Sequence, residues 1–334
     1  MRAIVYDKKG PAREVLHIGV MPDPKPGPGD VLIRLKTSGV NPSDTKGRSG
    51  WAGAVKMPFP RIIPHQDGAG VIEAVGDQVP ASRVGERVWI YEGQWQRPFG
   101  TGAESIAIPA ERAVKLPDAV SFTEGACIGI PIMTAHRCVF ADGPVSGKSI
   151  LVTGGAGAVG HYAIQLAKWG GATVITTVSS DEKAQAARTA GPDHVLNYKT
   201  DDVAARVMEM TGGQGVDRIV EVAFGANLPT TQKIIKTNGV VATYASDAEM
   251  EPQVPFRPFL ARDVTVRFVL VYVMPRAAKD AAIKDITGCL DAGTLRHRVY
   301  REFAMADVAD AHEAVETGRA LGNVVVTIDQ PSIP

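Results

Sequence analysis

Cysteine is scarce: Cys127, Cys138 and Cys289 are all the chain holds, and no two stand at CxxC spacing. That argues against a disulfide framework or a zinc knuckle and predicts reduced, buried thiols. Net charge is missing as well, because 36 lysines and arginines are balanced by 36 aspartates and glutamates. Without a global field the chain has no electrostatic reason to seek nucleic acid or an anionic membrane, and neither is expected as a partner. No apolar run approaches the roughly 20 residues of a membrane helix. The opening MRAIVYDKKG is a charged, alternating strand pattern rather than the apolar core of a signal peptide, and a cytoplasmic location is the expectation. Internal repeats and low-complexity linkers are lacking too. A chain of 334 residues is longer than one core usually organises, so two domains sharing their terminal segments are expected.

What is present changes texture twice. From Met1 to about Pro117, stretches such as DVLIRLKTSGV, AGVIEAVG and ERVWIY alternate in polarity and are broken repeatedly by Gly or Pro, the pattern of an all-β region. SFTEGACIGIPIMTAHRCVF then reads as a helix, with Ser121 as its cap and Glu124 completing a capping box. From Ser149 the rhythm becomes strand, helix, strand: SILVT, AVGHYAIQLAKWG, ATVITTV, DEKAQAARTAG, HVLNY, VAARVMEMTG, VDRIVEV, LPTTQKIIKTNG, VVATYA. Such alternation predicts a parallel sheet with helices on both faces. After about Phe268 come a helix, PRAAKDAAIKDITGCLDAG, a strand near VYREFAM, a helix from MADVADAHEAVETG and a closing strand, NVVVTI.

Gly154, Gly157 and Gly160 stand at GxxGxxG spacing between the strand ILVT and the next helix. Glycines let the backbone turn tightly and approach a pyrophosphate. Its charge meets the first N–H groups of the helix, those of Ala158, Val159 and Gly160. A glycine triplet alone is also an ordinary strand-to-helix turn; the strand–turn–helix–strand frame makes it a dinucleotide fingerprint. An NAD site usually ends its second strand in an acid for the ribose hydroxyls. Here that strand ends in TTVSS, where Ser179 and Ser180 are neutral donors and Lys183 follows in the next helix, a set suited to the 2′-phosphate of NADPH. Asp181 is the counter-indication unless it serves the helix dipole, and Lys183 has the alternative reading of a solvated surface charge.

GDVLIRLKTSGVNPSDTKGRSG, HQDGAGVIEAVG, VGERVW, EGACIGIPIMTAHRCV, ILVTGGAGAVG, HVLNY, GVDRIVEV and AHEAVETGRALGNVVVTID carry a resemblance over essentially the whole chain. Together they resemble the zinc-free quinone oxidoreductases, the zeta-crystallin-like group of the medium-chain dehydrogenase/reductase superfamily. The resemblance implies an α/β protein with a GroES-like β catalytic domain over residues 1–125, to which 268–334 return. A Rossmann domain, a doubly wound parallel sheet, is implied over 126–267, with the active site in the cleft between the two. It also implies a homodimer through the last Rossmann strand, for which the apolar run Val264–Val271 is the candidate, since a bare edge invites pairing. Residue by residue, Asn41 and Asp44 match polar residues on the nicotinamide side of the cleft, and Thr134 matches a threonine near the nicotinamide. Tyr198 matches the tyrosine that lies with Lys183 around a 2′-phosphate. Tyr244, Ser246, Val269, Val271 and Asn323 fall where relatives wrap the cofactor. Lys46 departs from a commonly aromatic position and stands as a candidate proton donor beside water; Gly102 and Ser105 replace frequent tyrosines.

Zinc-using alcohol dehydrogenases of the same superfamily polarise the substrate with a metal held by a Cys and a His. Asn41 and Gln66 stand at those positions and Asp67 at the following acid's, while His65, one residue earlier, reads as structural. No metal is expected. Without a metal to stabilise an alkoxide, the expected reaction is NADPH-dependent hydride addition to an acceptor with its own electron sink, a quinone or another activated carbonyl or alkene. The rivals are an enoyl or enone reductase of the same superfamily, and a dinucleotide-binding protein with little turnover that serves as a redox sensor, structural protein or RNA binder.

Overall fold

The structure, a computed structural model, describes residues 1–50 and 56–328. The alternating N-terminal stretches become seven strands: β1 (Arg2–Val5), β2 (His17–Val20), β3 (Asp30–Val40), β4 (Asp67–Val75), β5 (Arg87–Ile90), β6 (Ser105–Pro109) and β7 (Ala113–Lys115). The continuous apolar runs that follow suit strands covered on both faces. They become β8 (Ser149–Thr153), β9 (Thr173–Val178), β10 (His194–Asn197), β11 (Val216–Glu221), β12 (Ile235–Thr243) and β13 (Thr265–Phe268). The chain closes with β14 (Val299–Ala304) and β15 (Asn323–Thr327).

Two compact units result, the first comprising Met1–Pro131, Leu290–Ala292 and His297–Pro334, the second Ile132–Cys289 and Gly293–Arg296. In the first, a mostly antiparallel sheet runs β14-β15-β3-β4-β5-β7, with β6 on β3 and β1–β2 forming a separate hairpin-like pair. Its core gathers Ile33, Leu35, Ile72, Val88, Ile108 and Val326. In the second, six parallel strands run β10-β9-β8-β11-β12-β13, the doubly wound order in which ligands bind beyond the strand ends near β8. Leu151, Ile175, Ile219 and Val241 form its centre.

Three elements differ from the sequence reading. The helix Arg276–Asp291 falls with the second unit through Cys289 instead of with a segment returning at 268; its Ala282 and Ile286 are buried and its Asp285 meets His136 at 2.9 Å. The single helix expected from Phe122 is two, Phe122–Gly125 and Gly129–Phe140. Pro131 explains the break: it has no N–H to donate to the carbonyl of Cys127 one turn earlier and its ring clashes with that carbonyl, so a continuous helix is blocked and the second starts with Pro131 in its first turn. The edge run Val264–Val271 is a strand only over Thr265–Phe268, after which a 3-10 turn, Val271–Val273, begins.

Candidate functional site

In the second unit, β8 ends at Thr153, opposite Thr177 of β9, and the chain turns through Gly154 at φ 70°. Only glycine holds that left-handed backbone without strain. The Gly155 N–H donates to the Thr177 carbonyl at 3.1 Å, tying the turn to β9. The three glycines of the pattern do different work. A Cβ on Gly160 would lie 2.3 Å from the Gly154 carbonyl oxygen, so Gly160 permits the helix to pack onto the turn, whereas one on Gly157 would meet only that same oxygen at 3.4 Å, an ordinary contact. Gly155, outside the pattern, is as constrained as Gly160, since a Cβ there would lie 2.1 Å from Thr176 Oγ1.

The helix Ala158–Trp169 opens with Gly157 as N-cap, without a side-chain cap and without an acid in its first turn. Its leading N–H groups and positive dipole end are thus left for an external anion, and the donor set fits a pyrophosphate. Behind the turn, Glu221 Oε1 accepts from Thr153 Oγ1 (2.8 Å), the Ala223 N–H (2.6 Å) and Asn227 Nδ2 (2.8 Å), bracing the ends of β8 and β11. Burial pushes its carboxyl above the usual range despite these donors. A lone Glu in VDRIVEV carries no sequence signal for that duty.

Ser179, Ser180, Lys183 and Tyr198 come together beyond β9 and β10. Ser180 caps the helix Asp181–Arg188 by accepting the Lys183 N–H at 3.3 Å, and Asp181 opens that helix. The Tyr198 N–H donates to the Val178 carbonyl at 3.0 Å, which sets this exposed tyrosine beside the end of β9. The looser candidates have structural duties. Ser246 Oγ accepts from the Gly225 N–H at 3.0 Å and donates to the Glu249 carbonyl. Val269 and Val271 are buried, the Val269 N–H on the Thr243 carbonyl at 2.7 Å. Tyr244 is half-buried, its hydroxyl pushed up by burial and by Cys138 and Glu221 nearby. Thr134 is buried on the helix Gly129–Phe140.

In the first unit, Asn41 is the N-cap of the helix Pro42–Ser49, and its backbone N–H donates to Asp44 Oδ2 at 2.7 Å in a capping box. Asn41 Nδ2 donates to Asp67 Oδ2 at 2.8 Å, and the Ile130 N–H reaches both Asp67 oxygens at 2.9 Å. Asp67 is wholly buried; burial, then Asp44 and Glu92, push its carboxyl well up. Burial likewise pushes Asp44 up to about 7, against the pull of its hydrogen bonds from Asn41. Gln66 is committed to Gln94 in both directions, Nε2 to Oε1 at 3.2 Å and Oε1 from the Gln94 N–H at 3.1 Å. Lys46 lies half-buried on the same helix as Asp44. Asn323 opens β15 and spends Nδ2 on the Arg298 carbonyl at 3.1 Å. His65, between Pro64 and Gln66, holds φ 82° although it has a side chain, a conformation that costs about 1–3 kcal/mol and persists only where its surroundings enforce it. Among the described residues no group of three or more His, Cys, Asp or Glu side chains is arranged to hold a metal ion, and all three cysteines are free and buried.

Residues 27–118 match the alcohol dehydrogenase GroES-like domain family, and residues 158–287 the zinc-binding dehydrogenase family. The chain is 31% identical to a 2-haloacrylate reductase from a Burkholderia species and 29% identical to human quinone oxidoreductase, in both cases across 98% of each chain. Among solved structures it is similar to an NAD-dependent alcohol dehydrogenase (28% identity, TM-score 0.89) and to a mycobacterial protein complexed with NADPH (29%, TM-score 0.86). Each covers 98% of this chain and 100% of the other. No helix among the described residues is long and apolar enough to cross a membrane.

Proposed function

The chain belongs to the quinone oxidoreductase group of the medium-chain dehydrogenase/reductase superfamily, and from that membership we propose that it reduces quinones or other activated carbonyls and alkenes with NADPH. The observation that carries the proposal is the uncapped, acid-free helix N-terminus after Gly154–Gly157, together with Ser179, Ser180, Lys183 and Tyr198 beyond β9 and β10, where Asp181 and Glu182 lie in the first turn of the next helix and serve its dipole. NADPH, when bound, supplies the hydride; the protein supplies binding, orientation and electrostatics. Lys183 and Tyr198 hold the 2′-phosphate, and Ala158, Val159 and Gly160 the pyrophosphate. Asn41 and Asp44 serve the acceptor, Thr134 serves the nicotinamide, and the product oxygen takes its proton from water or Lys46.

The reaction proceeds without zinc. The amide of Asn41 is hydrogen-bonded to Asp67 and that of Gln66 to Gln94, so the side chains at the two ligand positions are neutral amides engaged with protein partners. Amide nitrogens have no lone pair to offer a metal, and no thiolate or imidazole stands at either position. The 2-haloacrylate reductase likeness favours conjugated alkenes as acceptors beside quinones. The protein works in the cytoplasm as a homodimer joined through β13, which among the described residues pairs with β12 alone, and at and just past which Phe268, Leu270 and Val273 are exposed. Steady-state oxidation of NADPH and NADH with a panel of quinones, enones and 2-haloacrylates tests the reading: acceptor-dependent NADPH turnover is expected, and binding without turnover on any acceptor would favour a sensor or structural role instead.

A further inference from the structure

Behind the Asn41–Asp67 contact, five buried side chains of the first unit stand in one file. Arg48 Nε lies 3.4 Å from His312 Nδ1, His312 Nε2 lies 2.9 Å from His65 Nε2, and His65 Nδ1 lies 2.8 Å from Ser38 Oγ. Ser38 Oγ lies 2.8 Å from Thr101 Oγ1, which lies 2.6 Å from the Asp67 carbonyl oxygen. All five are essentially inaccessible to solvent. The guanidinium at the head also meets the Gly10 carbonyl and the carboxylate of Glu316.

The two ends fix every proton between them. A backbone carbonyl only accepts, so the Thr101 hydroxyl must donate to Asp67 and the Ser38 hydroxyl to Thr101. Ser38 has then spent its hydrogen, and His65 must donate to it from Nδ1. At the head, arginine only donates, so His312 Nδ1 is bare and its proton sits on Nε2. The two assignments meet at the 2.9 Å contact between the rings, where His312 Nε2–H donates to a bare His65 Nε2. A proton added to either ring would set two donors face to face, so both imidazoles are neutral. Burial acts in the same direction, holding His65 down to about 3 and His312 well below the usual histidine range.

Arg48 lies on the helix Pro42–Ser49, whose N-cap is Asn41. One end of that helix therefore grips the Asp67 carboxyl through Asn41, and the other end grips the Asp67 carbonyl through the file of side chains. His65, two residues before Asp67, holds a left-handed backbone at the point where its ring enters the file. We propose that His65 and His312 are positioning residues: as a fixed pair of neutral tautomers they complete a one-way hydrogen-bond chain from Arg48 to the Asp67 carbonyl that sets Asp67, at the start of β4, against Asn41. The link to turnover rests on the reading of Asn41 as part of the acceptor site; the tautomers do not.

Nitrogen-15 NMR of the histidine-labelled protein, its seven histidines assigned with His65→Asn and His312→Gln, reads the chain directly. Proton on Nδ1 of His65 and on Nε2 of His312 is expected; the opposite tautomer, or a charged ring in either, overturns the chain. Kinetics read the positioning role. Thr101→Val deletes the last donor with little change of shape and is expected to lower kcat at least fivefold while the KM for NADPH stays within twofold. His312→Gln, which presents an acceptor to Arg48 and a donor to His65, is expected to retain turnover that His312→Leu loses. Asn41→Ala separates the two readings. If Asn41→Ala costs turnover and Thr101→Val does not, the positioning role is wrong; if neither does, the site reading fails and the positioning role with it, and the tautomers still decide the chain.

Discussion

A lysine beside a phosphate makes charge-assisted hydrogen bonds that a ribose hydroxyl cannot repay. Lys183→Ala is therefore expected to raise the KM for NADPH about tenfold or more, the equivalent of one such bond, and to leave the KM for NADH nearly unchanged. Steady-state kinetics with both cofactors checks this, and equal losses for the two would contradict the phosphate role. Asp44 makes a prediction in pH. Burial raises its carboxyl to about 7, so between about pH 4 and pH 7 the folded chain keeps a proton that the unfolded chain releases. The stability this group contributes is present below that window and is lost as pH rises through it. Asp44→Asn, neutral throughout, should gain on the wild type by roughly 2 kcal/mol more at pH 8 than at pH 5. Thermal melts at both pH values read the difference, and a gap that does not change with pH would contradict it. Asn41 and Asp44 were readable because they sit in a recognisable stretch, GVNPSDTK. The partnership of His65 with His312 was not: 247 residues separate them, and single-sequence spacing carries no information about such a contact.

Local pattern and element agree wherever the local chemistry decides the outcome. The capping box at Ser121 and Glu124 forms as its spacing predicts, and the same logic starts the helix at Asn41, where Asp44 stands three residues on. The alternation of strand and helix after Ser149 yields the parallel sheet because runs such as SILVT have no polar face to leave in water. Legibility fails where tertiary contacts override pattern. The edge run stops being a strand at Phe268, since Val269 and Val271 turn inward to be buried. The glycine turn gives the sharpest test at this scale. Gly157→Val should fold with a melting temperature within a few degrees of the wild type and lose dinucleotide binding, because its side chain meets little protein and occupies the anion's approach. Gly160→Ala should instead destabilise the protein, because its methyl meets backbone that cannot yield. Melting curves and fluorescence titration with NADPH distinguish them; Gly157→Val with normal binding would make the turn merely structural.

At the scale of the whole molecule, the parallel sheet ends in β13, which pairs with β12 on one side and with no other strand among the described residues. Arg267 of this strand is held by Asp142, which also takes the buried Arg218, so the edge is anchored from within its own unit. An anchored, apolar edge is a surface for isologous pairing. Light scattering at micromolar concentration is expected to give twice the chain mass, and Leu270→Glu, which charges an exposed position just past the edge strand, should shift it toward monomer. A wild-type chain that is monomeric and fully active would refute the dimer.

Hydride transfer from NADPH to a conjugated acceptor without a metal is followed by turning over NADPH deuterated at C4, in both stereochemical forms, with a quinone-like enone in the presence of a zinc chelator. One of the two forms is expected to deliver its deuterium to the β-carbon of the acceptor while NADP+ appears in equal amount. Solvent supplies the proton at the α-carbon, and the chelator leaves the rate unchanged. Deuterium lost to water, or turnover abolished by chelation and restored by zinc, would contradict it.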